Sequence, residues 1–171
     1  VKRIWAIVLA SSICAWSFPA GIARGAEPVL GSVTNLPVPR YVSLRSSEIN
    51  VRRGPGLDYR KDWVFRRAGL PVKVVDEYGD WRRILDKDQA GGWVYHALIT
   101  GRRTVVITED GIHFRERPIE AAAATARAER GVIARLRGCR PTWCEVEADG
   151  HRGWVPKAAI WGVDPDEVFD D

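Results

Sequence analysis

Hydrophobic positions along the chain come in short alternating runs, and turn residues break them. LPVKVVDEYGDWRRIL (70–85) holds two β-branched or aromatic runs around Gly79-Asp80, which predicts a hairpin. GGWVYHAL (91–98) predicts a third short strand, entered through glycine. Short strands with turn signals at close intervals predict an all-β unit, a small barrel or sandwich. Only IEAAAATARAER (119–130) departs from this pattern, and it predicts a helical turn or short helix set into a long loop.

The pattern occurs twice. Ile49-Asn50-Val51-Arg52 aligns with Ile112-His113-Phe114-Arg115 at an offset of 63. Gly69 and Trp81 align with Gly131 and Trp143 at 62, and Trp93-Val94 with Trp154-Val155 at 61. Ile99 and Gly101 meet Ile160 and Gly162 at the same offset of 61. Order, spacing and two tryptophan pairs are kept together, so the chain is an internal duplication. Units of about 60 residues have little room for a core, and a tryptophan buries much area. Trp93 and Trp154 are therefore expected to plug one barrel each. Gly92 and Gly153 would let the backbone turn or approach closely beside them.

INVRRGPGLDY, GLPVKVV, GDWRRI and GGWVYHALI, in that order, resemble the bacterial SH3 domain (SH3b) family, in the form of an exported proteobacterial tandem protein. The resemblance implies two tandem SH3-like small β-barrels, at 40–101 and 104–162. The second copy is the divergent one. It keeps Arg115, Gly131, Trp143 and Gly-Trp-Val, but RERPIEAAA replaces the Gly-Pro-Gly loop. The resemblance further implies a non-catalytic binding module, with cell-wall peptide as its ligand.

Composition changes the picture at the N-terminus. Lys2 and Arg3, an apolar run to Phe18, then Pro19, Ala23 and Gly25 have the three-part layout of a secretory signal peptide over 1–25. The apolar run is shorter than a spanning helix needs. A periplasmic protein with no stable membrane insertion after cleavage is therefore expected. Lys2, Arg3 and Arg24 leave with the signal, so 26 basic and 22 acidic residues become 23 and 22. That balance lacks the cationic surplus that nucleic-acid binding requires. Residues 26–39 read as a Pro-rich linker, and 163–171 as an acidic, solvated tail. The TGRRT linker (100–104) is short enough that the barrels should pack together.

Cys139 and Cys144 bracket RPTW at the place of the Gly79-Asp80 turn, and they are expected to form a disulfide across that hairpin. The spacing does not fit a C-x-x-C redox pair. A zinc site would also need His113 or His151, in no common arrangement. His96, His113 and His151 are scattered, and no nucleophile, phosphate-loop or zinc-protease motif occurs, so neither catalysis nor a cofactor or metal is expected. The best binding candidate is RRGPGLDYRKDWVFRR (52–67), with Tyr59, Trp63, Arg53 and Arg60. Tyr78 and Trp81 of the hairpin are expected beside it, making an aromatic groove with cations that suits an extended peptide. In the competing reading, Trp63 and Trp81 help close the first barrel and the arginines are solvated. The partner is then cell-wall peptide or, as the alternative, another envelope protein.

Overall fold

The computed structural model describes residues 27–170, so the expected signal segment lies outside the described residues. The first unit contains β1 (Arg40–Leu44), β2 (Ile49–Arg52), β3 (Lys61–Phe65), β4 (Pro71–Tyr78), β5 (Trp81–Leu85), β6 (Gly91–Tyr95) and β7 (Ile99–Thr100). They pair in the order β3-β2-β6-β5-β4-β1-β7. The second contains β8 (Thr104–Ile107), β9 (Ile112–Arg115), β10 (Ala124–Ala128), β11 (Ile133–Cys139), β12 (Trp143–Ala148), β13 (His151–Pro156) and β14 (Ile160–Trp161). Its order, β10-β9-β13-β12-β11-β8-β14, repeats the first strand for strand. A last strand, β15 (Phe169–Asp170), adds to β11. The protein is all-β, two tandem SH3-like barrels, as the repeat and the resemblance imply.

Each barrel closes over small branched side chains. Leu44, Ile49, Val51, Val72, Val74, Ile84 and Val94 fill the first, with Phe65 at its edge. Val105, Ile107, Phe114, Val146 and Val155 fill the second. The two tryptophans of Gly-Trp-Val do not. Alternation along β6 and β13 turns Val94 and Val155 inward, both fully buried, and leaves Trp93 and Trp154 half-buried on the outer face. The glycines face inward with the valines, because another strand passes close there. A Cβ on Gly92 would lie 2.6 Å from the Arg52 carbonyl oxygen, and one on Gly153 would lie 2.8 Å from Phe114 Cβ. So narrow an interior has no room for an indole.

Three further expectations change. The Ala-rich stretch is not helical: Ala124–Ala128 is strand β10, paired with β9 and turning Ala126 and Ala128 toward the core. The period-2 burial of small side chains against β9 outweighs local helix propensity. Residues 29–38 do not run as an extended linker. Leu30 bridges to Pro37, and the turn between them docks on Glu77. The C-terminal segment does not fray. Lys157 Nζ donates to the carbonyls of Pro165 and Glu167, and Arg103 pairs with the Glu167 carboxylate at 2.6 Å.

The barrels touch through a polar and aromatic seam. The hydroxyls of Ser43 and Thr104 lie 2.6 Å apart, and Thr104 also donates to the Gly69 carbonyl. Tyr41 meets Trp161 edge to face at 5.2 Å, and Lys73 reaches Asp164 at 3.1 Å.

Candidate functional site

The nominated loop is ordered by its own chemistry. Arg52 donates through one guanidinium nitrogen to the carbonyls of Leu57 and Tyr59, at 2.7 and 2.6 Å, so it shapes the loop from below. The Tyr59 ring lies over Gly54, where a Cβ would come within 2.4 Å of it. Arg53 and Arg60 both grip Asp62, at 2.9 and 2.6 Å. These two hydrogen bonds, Arg53 first, hold the Asp62 carboxyl below its ordinary range.

The four nominated aromatics do not form one groove. Trp63 sits on β3, half exposed, with its ring edge-on to Phe65 at 6.1 Å. Trp81 sits on β5, with β2 and β6 between it and β3 in the sheet order. It packs edge-on against Tyr95 at 5.9 Å, and its neighbour across the hairpin, Tyr78, is 65% exposed. Trp81, Tyr95, Arg83 and Trp93 thus form an outer-face row on the first barrel.

Trp63 borders a different feature, a cleft of about 340 Å³ at the junction of the barrels. Leu70 and Pro71 line it from the first barrel, Val106 and Trp161 from the second. Arg66, Arg67, Asp86, Lys87 and Asp88 bring charge to it. The Arg67 guanidinium lies near Gly131, where a Cβ would be 3.6 Å from one of its nitrogens. Trp161 was not among the sequence candidates. The signal for it was present: Ile160-Trp161-Gly162 repeats Ile99-Thr100-Gly101, with tryptophan in place of threonine.

A larger hollow of about 570 Å³ lies between the 34–37 turn, Tyr41, Arg103 and Glu167. The arginines that line it are each paired with a carboxylate, and only the buried Nε of Arg103 has no hydrogen-bond partner among the described residues. Arg40 holds Glu77 at 2.7 Å and Arg103 holds Glu167. Burial pushes the Glu77 carboxyl up, but the Thr34 hydroxyl and N–H, Arg40 and the Val33 N–H outweigh it and bring its pKa down to about 2. This hollow is a structural junction. Cys139 and Cys144 are bonded, fully buried and directly paired across β11 and β12. Among the described residues no group of three or more His, Cys, Asp or Glu could hold a metal ion, and no helix is long and apolar enough to cross a membrane.

No curated protein matches the chain. Among solved structures similar to it is the structure of NlpC2 from Trichomonas vaginalis, at 10% identity and a TM-score of 0.34. That match covers 74% of this chain and 50% of the other, so the chain spans about half of that protein. The bacterial SH3 domain profile matches twice, over residues 45–101 and 109–162, one match on each barrel; the chain belongs to the bacterial SH3 domain family.

Proposed function

We propose that this is an exported, non-catalytic binding protein that recognises cell-wall peptide in the periplasm, and that the cleft between the barrels receives the ligand. Its family makes it a binding module. The observation that carries the finer reading is the meeting of Trp63 and Trp161 on one open apolar cleft with Arg66 and Arg67 at its border. Indole faces give a peptide apolar surface to cover, and guanidinium groups grip its free carboxylates. The test is co-sedimentation of the protein with purified peptidoglycan sacculi. Saturable binding that weakens at least about tenfold in Trp63→Ala is expected for a central aromatic anchor. Absence of saturable binding to sacculi overturns the reading.

A second reading, envelope scaffold, is favoured by the outer face of the first barrel. Tyr78 and Tyr95 stand exposed there beside Arg83, away from the cleft. A photo-crosslinking residue at position 78 that captures one envelope protein, while the same residue at position 63 captures none, would select this reading.

A further inference from the structure

The cleft carries charges of both signs, and its two arginines do not meet its two aspartates. Arg66 and Arg67 follow β3, whereas Asp86 and Asp88 stand in the loop between β5 and β6. No ion pair joins the two sets among the described residues. Arg66 reaches Glu48 at 3.8 Å and Asp88 pairs with its neighbour Lys87 at 2.7 Å, while Arg67 has no ion-pair partner among the described residues. Asp86 turns one oxygen to its own loop, accepting from the N–H groups of Asp88 and Ala90, and its other oxygen accepts from no described residue. The same cleft is lined by Trp63 and Trp161.

Charges of opposite sign around one apolar surface, held apart by their backbone positions, favour a ligand that carries both complements. Such a ligand sheds water from the indoles while keeping each charge satisfied. The cleft is also at the small end of the range for ligand sites, roughly 300–1,000 Å³. That size suits one or two residues better than a long peptide. Resting on the peptide reading above, we infer that the cleft selects a zwitterionic peptide end: a free ammonium and a free carboxylate within the span of one or two residues. Arg67 receives the carboxylate, and the open oxygen of Asp86 receives the ammonium. A peptide whose amine is blocked, or whose carboxylate is amidated, is discriminated against.

The experiment is calorimetric titration of the full chain with soluble stem peptides released from sacculi, in three forms: unmodified, N-acetylated and carboxyl-amidated. Each blocked form should bind at least about tenfold more weakly, the usual scale for a lost charged hydrogen bond. Asp86→Asn keeps the oxygen that orders the loop and should abolish the penalty for acetylation alone. Arg67→Gln should abolish the penalty for amidation alone. Both positions are solvent-accessible, so neither change threatens folding. Equal binding of all three forms, with sensitivity to Trp63→Ala intact, overturns the zwitterion inference and leaves the peptide reading standing. Penalties that persist unchanged in both variants also overturn it. No binding of any form removes both.

Discussion

At the tip of the same hairpin the two barrels use different chemistry. In the first, Glu77 pairs in register with Arg82; in the second, Cys139 pairs in register with Cys144. Both members are offset by 62, so these are equivalent positions. All four residues are buried, Glu77 at 4% and Arg82 at 6% exposure, the cysteines at 0%. One barrel closes its hairpin with a covalent bond. The other does so with a carboxylate that also gathers Arg40, the Thr34 hydroxyl and two backbone N–H groups of the N-terminal turn. The covalent solution is local. The ionic one also recruits a preceding segment of chain, because a buried carboxylate must fill its remaining acceptor sites.

The difference predicts different failure modes. The largest effect should come from Glu77→Ala, which leaves Arg82 buried without its carboxylate and releases the 31–36 turn. A loss of about 3–5 kcal/mol is expected for breaking a buried pair, measured by urea unfolding. A loss below about 1 kcal/mol would show that the turn and the arginines rearrange freely. Next is the second barrel. Removing the Cys139–Cys144 bond, with reductant or in a double alanine variant, should cost about 2 kcal/mol for so short a closed loop. Reductant should leave the stability of the double variant unchanged. The most selective effect is on pH dependence, and it is the smallest over any single pH unit. The Glu77 pKa is lowered from 4.5 to about 2 on folding. Between these values the unfolded chain binds the proton and the folded chain does not. Stability from this group is therefore complete above about pH 4.5 and is lost as pH falls toward 2, with a slope of at most about 1.4 kcal/mol per pH unit. Glu77→Gln should flatten that slope in acid melts, whereas removal of the disulfide should not.

Much of this architecture was legible in the residues. The hairpin at 70–85 and the strand at 91–98 form where alternation and Gly79-Asp80 place them. Cys139 and Cys144 face each other because repeat alignment put them on opposite arms of a hairpin. The role of Arg52 in ordering the loop also agrees with the expectation. The misreadings share a cause. Size alone favours Trp93 and Trp154 for the core, but the alternation of the strand gives the inner face to glycine and valine. Alanines 124–128 carry helix propensity, yet the edge of β9 offered them a partner. The role of Glu77 is not legible in the sequence, because a glutamate is ordinarily solvated. Its burial depends on a turn more than forty residues away in sequence.

The sequence by itself determined the unit, its duplication, the 70–85 hairpin and the disulfide, because each rests on short-range alternation, turn chemistry and repeat spacing. Tertiary structure alone decided which aromatics share a surface. Trp63 and Trp161 lie 98 positions apart, on different barrels, and border one cleft; Trp63 and Trp81 lie 18 apart, in one barrel, and are separated by two strands. Local patterning specifies which face of a strand a side chain occupies. Which strands come to adjoin, and where two barrels meet, depends on packing between residues distant in sequence, and the cleft exists only there.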